Sequence, residues 1–376
     1  MHNFSSSYLA YAPHYSNPLP PAEYPWYNTD RVEFVLGISD KYLSVLVPLA
    51  AYWAFSLFFH ILDKLQLDCL ERYRIHEPEE VTSKNRVTVR EVVVAVLFQQ
   101  LLQTAMGVWW LEDDDPVFDD AAELNRFGRK VAKAVIAVAG TSLGGDFMAQ
   151  YGRQATSWVY WWGVPIAQFA WAAFVLDGWQ YMMHRSAHQV TFLYRTIHSW
   201  HHRLYVPYAF GALYNHPVEG FVLDTCGAAL AHTLAGLTTR QAILFFFIST
   251  AKTVDDHCGY AFPWDPLQHL FGNNADYHDI HREFIWRRFP RATFADAMLR
   301  FLADQVAGLK KNYSQPWFIS WDIFFGTRMT RKEYQAKLSN RIDKDEAIPS
   351  AVNGPNELAP TPTSQMNGKA LKEKVN

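Results

Sequence analysis

The sequence is poor in cysteine and has no cysteine pair at a spacing that binds metal or closes a short loop. Only three cysteines occur in 376 residues, Cys69, Cys226 and Cys258. They give no basis for a disulfide framework or a thiolate zinc site, so any metal ligands must be nitrogen or oxygen atoms. A net charge of −3 without a basic stripe likewise gives no basis for nucleic-acid binding.

Charged residues are scarce in several long apolar runs, whereas aromatic residues are abundant. Hydrophobic residues make up 49% of the chain, which contains 14 Trp and 19 Tyr, two residue types typical of membrane interfaces. The mean hydropathy is only −0.14, which argues against a protein that is mostly embedded in the bilayer. The composition therefore predicts a few membrane spans and a large water-facing part.

The apolar runs predict where the chain crosses the membrane. Residues 42–62 and 92–111 are long enough to span it, and the loop 63–90 between them is rich in Lys and Arg, which favours the cytosolic side. Residues 158–183 form a third, strong span that runs directly into His184. The weaker segment 131–148 is interrupted by glycines, and we expect it to be interfacial or re-entrant.

The same span count predicts that all the histidine groups face the cytosol. The third span returns the chain to that side before His184, and the apolar stretches 221–237 and 241–254 form a hairpin that delivers His257 there. The ending Lys372-Glu-Lys374-Val-Asn376 matches a retrieval pattern read by cytosolic coat proteins.

Histidines are concentrated in one part of the chain, since 11 of the 15 lie between His184 and His281. Residues three or four apart on a helix share a face, and imidazole is the commonest nitrogen ligand for transition metals. The pattern therefore predicts a histidine-built metal site. The expected ligands are His184, His188, His198, His201, His202, His257, His278 and His281.

Other residues of this region have two interpretations each. His216 is either a ligand or a group that orients one. Four carboxylates either accept hydrogen bonds from ligand imidazoles or lie in solvent: Asp255, Asp256, Asp276 and Asp279. The remaining histidines are expected to be surface or loop residues (His2, His14, His60 and His76) or structural ones (His232 and His269).

Eight histidines at a membrane surface favour two metal ions with dioxygen or water between them. Iron suits nitrogen ligands with an open position for oxygen, whereas zinc hydrolases commonly need three protein ligands and a carboxylate. A histidine-rich metal transporter is the alternative of another class, although transporters place ligands at mid-membrane depth. We expect no catalytic residue distinct from the metal ligands, and the site for any further cofactor is unknown.

The spacing of these histidines resembles the boxes of the fatty acid hydroxylase and sterol desaturase superfamily. The boxes are His184-x-x-x-His188, His198-x-x-His201-His202 and His278-x-x-His281. The stretches 71–76, 215–220, 255–260 and 273–278 resemble its fungal sphingolipid 4-hydroxylase branch, also called sphinganine C4-hydroxylase.

That resemblance implies a di-iron enzyme that uses O2 to hydroxylate carbon 4 of sphinganine or dihydroceramide, giving phytosphingosine or phytoceramide in the endoplasmic reticulum. It also implies cytochrome b5 and its reductase as electron donors. The sequence has no His-Pro-Gly-Gly haem motif, so the donor would be a separate protein. Nearer alternatives within the superfamily are sterol C4-methyl oxidase, sterol C5-desaturase and fatty acid 2-hydroxylase.

One departure from the resemblance concerns the third box, which should continue His-Gln but continues with Arg282. The expected pattern resumes at Gln305, and codons compatible with splice sites exist at both ends of 282–304. We interpret this stretch as a retained intron, with a genuine insertion as the rival. Arginine cannot ligate a metal, which puts the activity of this translated form in doubt.

Together these observations predict an all-α, multi-span integral membrane protein with a cytosolic, histidine-rich di-metal helical cap. Residues 1–38 are expected to be loosely ordered, and 39–180 to hold membrane helices and loops. Residues 181–330 would form the hydroxylase-type catalytic region, and 331–376 a disordered tail.

Overall fold

A computed structural model describes most of the chain, in which the predicted all-α fold is confirmed. The described residues are 7–25, 27, 33–35, 37–113, 119–286 and 311–346. In that part of the chain, extended pairing is limited to two isolated bridges, Val35 with Ile38 and Arg74 with Tyr260.

Helices account for most of the described residues. The α-helices are α1 (Asp40–Leu65), α2 (Asp68–Glu71), α3 (Pro78–Lys84), α4 (Val89–Trp110), α5 (Asp120–Trp158), α6 (Val164–Gln189), α7 (Thr191–Thr196), α8 (Pro217–Gly220), α9 (Cys226–Ala235), α10 (Thr239–Asp256), α11 (Pro266–Leu270), α12 (Ala275–Trp286), α13 (Ser320–Phe324) and α14 (Arg331–Glu346). Single 3-10 turns occur at Ser7–Tyr11, Pro21–Glu23, His198–Arg203 and Ala209–Leu213, and π-helical turns at Val159–Gly163 and Phe221–Thr225.

Three helical stretches of the described residues are long and apolar enough to cross a membrane. They are α1, α4 and the continuous run Asp120–Gln189, so the protein is a multi-span membrane protein. The first two contain the predicted spans, and the third contains the predicted span 158–183. Gly140, at φ 76° and ψ 173°, breaks the helical geometry of α5 within the segment expected to be weak.

Local sequence explains where two of the site-bearing helices begin. Thr88 caps α4 and Thr238 caps α10. In each case the side chain three residues later, Glu91 or Gln241, accepts a hydrogen bond from the backbone N–H of the capping threonine. Helices α1 and α10 pack along each other, and the Tyr52 hydroxyl on α1 donates to the carbonyl of Phe210 at 2.7 Å. These contacts join the membrane helices to the segment that follows the second histidine box.

Two segments expected to lack order are ordered in part. Tyr15 is 1% exposed and its hydroxyl donates to the carbonyl of Arg153 on α5 at 2.8 Å, so part of the lead-in 1–38 packs on a helix because its aromatic side chain is buried there. The tail predicted from residue 331 begins as α14. Two further predictions, for residues 347–376 and for most of the stretch 282–304, lie outside the described residues.

Candidate metal centre

Four separate segments deliver the predicted ligands to one buried region. The last turns of α6 carry the first box, a 3-10 turn carries the second, the residue after α10 supplies one histidine, and α12 carries the third box. All eight are buried: His184, His188, His198, His201, His202, His257, His278 and His281. The structure divides them into two groups.

Cluster 1 contains five histidines whose ligand atoms all lie within 4.8 Å of one another, namely His184, His188, His198, His202 and His281. Its centre is the Nε2 atom of His188. The Nε2 atoms of the other four lie 2.8–3.2 Å from it. Neighbouring ligands bonded at about 2.1 Å to one octahedral metal ion lie about 3.0 Å apart, so this spacing fits such an ion.

Hydrogen bonds at the opposite ring nitrogens fix the tautomers of three rings in cluster 1, of which His184 and His281 bind backbone carbonyls. The Nδ1–H of His184 donates to the carbonyl of Tyr313 at 2.9 Å, and that of His281 donates to the carbonyl of Lys311 at 2.8 Å. A carbonyl oxygen can only accept, so the Nε2 atoms of these rings carry lone pairs. Lone pairs facing each other at about 3 Å repel unless a cation lies between them, and this donor set therefore fits a metal ion.

Glu219 holds a third ring of cluster 1 in the same way. Its carboxylate is 3% exposed and accepts a short hydrogen bond from Nδ1 of His198. A carboxylate bound to the outer nitrogen of a ligand imidazole fixes the ring and increases its basicity. Glu219 was not among the carboxylates predicted to orient a ligand imidazole, although it lies in the stretch 215–220 that carries the family resemblance.

Cluster 2 contains the other three histidines, His201, His257 and His278, again within 4.8 Å. Nδ1 of His201 donates to the carbonyl of Tyr214 at 3.2 Å, and Nδ1 of His257 donates to the carbonyl of Thr253 at 2.8 Å. Their Nε2 atoms are therefore unprotonated as well, and among the described residues that of His257 has no hydrogen-bond partner.

Arg282 occupies cluster 2. Its guanidinium donates to Nε2 of His278 at 2.9 Å, to Nε2 of His201 at 3.0 Å and to the carbonyl of Leu204 at 2.7 Å. Burial lowers the pKa of Arg282 to about 10, so it stays protonated at neutral pH. One cation already uses two of the three lone pairs, and cluster 2 of this chain does not fit a metal ion alongside it.

Burial favours the neutral form of several of these imidazoles, which is the form that binds metals. It lowers the pKa of His257 and of His281 to about 3. The pKa values of His201, His202 and His278 are also lowered by burial. Metal binding by these rings would therefore release no proton at neutral pH.

His216 lies outside both clusters. Its Nδ1 accepts a hydrogen bond from the backbone N–H of Val218 and so caps α8, while its ring packs edge-on against Trp200. This local role explains why a histidine stands before Pro217.

The four candidate carboxylates also have other partners. Asp256 pairs with Lys252 and accepts from Asn273, and Asp255 accepts from Gln268. The two carboxylates of α12, Asp276 and Asp279, pair with Arg331.

Asp279 is fully buried and also pairs with His76 at 2.7 Å, so a histidine expected on a loop anchors α12. Among the described residues, no hydrogen bond of these four carboxylates reaches a histidine of either cluster. They position the helices that carry the imidazoles, because their partners lie on neighbouring segments.

Comparison with known proteins gives concordant matches. Residues 169–327 match the fatty acid hydroxylase family model. The chain is 42% identical over 303 residues to sphingolipid C4-hydroxylase sur2 of Schizosaccharomyces pombe, covering 80% of this chain and 92% of that protein. It is 39% identical to sphingolipid C4-hydroxylase SUR2 of Saccharomyces cerevisiae, with coverages of 82% and 78%. It is 38% identical to sphinganine C4-monooxygenase 1 of Arabidopsis thaliana, with coverages of 78% and 89%. No solved structure matches the chain.

Proposed function

Because the chain belongs to the sphingolipid C4-hydroxylase family of the fatty acid hydroxylase superfamily, we propose that it is a di-iron oxygenase of sphingoid lipids. It would hydroxylate carbon 4 of sphinganine or dihydroceramide and give the phyto form. The observation that carries this proposal is the pair of buried histidine clusters, in which five imidazoles direct their Nε2 atoms at one point. The five histidines of cluster 1 would ligate one iron ion in the present chain, and the three of cluster 2 would ligate a second ion in a form without Arg282.

Iron suits this site because it accepts imidazole ligands and leaves a position for oxygen. Bound iron would supply the activation of dioxygen. The chain itself holds the imidazoles in place through Glu219 and the carbonyls of Tyr313 and Lys311. Because the clustered histidines are buried, a carbon held beside them would be shielded from bulk water. That carbon must be held in one orientation for a single C–H bond to be selected.

Hydroxylation also needs a supply of electrons. Inserting one oxygen atom of O2 into a C–H bond leaves the second atom to be reduced to water, which consumes two electrons and two protons. The sequence has no haem motif of its own, and we propose cytochrome b5 with its reductase as the donor. The basic loop between α1 and α4 supports a cytosolic histidine face, and we propose the endoplasmic reticulum membrane as the location.

We propose that the fully active form carries one histidine in place of residues 282–304. In the present chain, Arg282 fills the position four residues after His278, from which a side chain on the same face of α12 contacts cluster 2. A histidine there would add a lone pair where the guanidinium adds a charge. Sequencing the transcript tests whether the stretch is spliced out, and a message that retains it throughout would support a genuine insertion.

Expression in cells without their own C4-hydroxylase tests the function. Lipid mass spectrometry should detect 4-hydroxylated long-chain base with the histidine form, much less with the present chain, and none with His188→Ala in the histidine form. A hydroxylated sterol or 2-hydroxy fatty acid as the product would instead favour another branch of the superfamily. Metal uptake without any lipid product would contradict the enzyme proposal and favour a transporter.

A further inference from the structure

A long cavity lies among the membrane helices beside the metal centre. It has a volume of about 200 Å³ and is lined by residues of α1, α4, α6, α9 and α10. Its α4 wall runs from Gln100 to Trp110, which is about 15 Å at the rise of an α-helix. That length suits an extended alkyl chain of about a dozen methylenes. Most of the wall is apolar, including Val45, Leu49 and Phe246.

The cavity reaches the histidines through a polar neck. Four residues line both the long cavity and the small space beside the clusters: Gln180, Asp224, Thr253 and Pro316. The small space is also lined by His184 of cluster 1 and His257 of cluster 2. A molecule whose tail fills the long cavity would therefore place its polar end next to the metal centre.

Asp224 is the carboxylate of this neck, and its protein partners are neutral. It accepts hydrogen bonds from Gln99 at 2.9 Å, from Gln180 at 3.2 Å and from Asn215 at 3.5 Å. No cationic side chain of the described residues forms an ion pair with it. A carboxylate removed from water is costly unless a cation pairs with it, so this site suits a positively charged ligand group.

The backbone around Asp224 allows an amide side chain to approach its carboxylate. Asp224 lies in the π-helical turn Phe221–Thr225, and such turns occur frequently at functional sites. Gly220 precedes that turn, and a Cβ atom there would lie 2.0 Å from the Oε1 atom of Gln99. The missing side chain lets Gln99 reach Asp224.

We propose that the long cavity binds the alkyl tail of the substrate and that Asp224 binds the ammonium group of a free long-chain base. This inference rests on the proposed function and specifies its substrate. The amino group of such a base is on carbon 2, three bonds from carbon 4, so the residue that binds it must stand beside the metal centre. An N-acylated base has a neutral amide in place of the ammonium group, so it cannot form an ion pair with Asp224. It also carries a second alkyl chain.

Photo-crosslinking tests the inference without turnover. The full 376-residue chain is placed in phosphatidylcholine nanodiscs with sphinganine that carries a diazirine near the end of its tail, and the labelled peptides are identified by mass spectrometry. We expect labels on α1, α4 or α9 residues that line the cavity. Unlabelled sphinganine should compete about tenfold better than N-acetylsphinganine, the difference that a charge-assisted hydrogen bond provides.

Two substitutions at Asp224 separate its charge from its shape. Asp224→Asn should remove the advantage of the free base, whereas Asp224→Glu should retain it and so show that the fold tolerates a change there. Asp120→Asn is the control, because Asp120 also accepts a hydrogen bond, from Tyr160, but lines neither cavity. An unchanged preference in Asp224→Asn would overturn the role of Asp224.

A second pair of variants tests the tail site. Ala228→Phe fills the cavity from α9 and should lower the labelling severalfold. Leu234→Phe on the same helix is the control, since Leu234 is 56% exposed and does not line the cavity. Labels outside the cavity, or equal labelling of both variants, would overturn the tail site. Since this readout needs no product, it stays separate from failure of the hydroxylation assay.

Discussion

The position of Arg282 leads to a prediction about metal content. A divalent ion among the three Nε2 atoms of cluster 2 would lie about 4 Å from the guanidinium. At an effective dielectric constant of about 20, the repulsion between charges of +2 and +1 is about 8 kcal/mol. This corresponds to a loss of affinity of roughly 10⁵-fold or more. Two of the three lone pairs are also taken by the hydrogen bonds of Arg282.

We therefore expect the present chain to bind one iron ion per molecule and the form with one histidine in place of residues 282–304 to bind two. The assay is anaerobic reconstitution with Fe²⁺, removal of loose metal and elemental analysis against protein concentration. Arg282→His should also restore the second ion. Arg282→Met, which removes the charge and adds no ligand, should bind the second ion with intermediate affinity because three imidazoles remain.

Arg203→Met is the matched control, since Arg203 packs over the ring of Trp200 and belongs to neither cluster. It should keep the metal content of the present chain. Two tightly bound ions in the present chain would refute the idea that Arg282 excludes the second ion. A single ion in the histidine form would refute it as well, provided that this form is as thermally stable as the present chain.

Three further predictions concern single residues. His188→Ala should abolish the ion of cluster 1, measured by elemental analysis, because Nε2 of His188 lies at the centre of that cluster; retention of the ion would contradict the assignment. Glu219→Gln should weaken metal binding about 10- to 100-fold in a chelator competition, since it removes the charge that His198 faces, and an unchanged affinity would exclude this role. The pKa of Glu80 is lowered to about 2, mainly by its hydrogen bond with His76, so its stabilising contribution is present above about pH 4.5 and is lost as the pH falls towards 2. About a third of the Glu80 side chain is exposed, which limits its contribution to stability to about 1 kcal/mol. In detergent, Glu80→Gln should therefore lose less thermal stability than the parent between pH 5 and pH 3. Equal losses would contradict a stabilising contact between Glu80 and His76.

Much of the site could be predicted because its signals are local. The i,i+4 pair of His184 and His188 and the i,i+3 pair of His278 and His281 place imidazoles on one helix face without any knowledge of the fold. The apolar runs fixed the spans in the same way, and the capping boxes at Thr88 and Thr238 mark helix starts that pattern alone can find. All eight histidines predicted as ligands lie in the two clusters.

The partition of those histidines could not be predicted. His201 lies between His198 and His202 in the chain direction but belongs to cluster 2, because the 3-10 turn directs its ring towards His257 and His278. The contacts of the carboxylates could not be predicted either, since the sequence left open whether the four candidates orient imidazoles or lie in solvent. Glu219 has that contact with His198, while Asp279 binds His76, 203 residues away in the chain.

The sequence by itself determined the helical class, the spans and the identity of the imidazoles, since each of these follows from residues within a few turns of one another. Only the tertiary structure decided which imidazoles share a cluster, that a guanidinium enters the second one, and that Asp224 faces a tail-sized cavity. The reason is that these contacts join segments far apart in the chain, as when the carbonyl of Tyr313 accepts from His184 across 129 residues. Packing of the helices brings such groups together, and no local pattern records it.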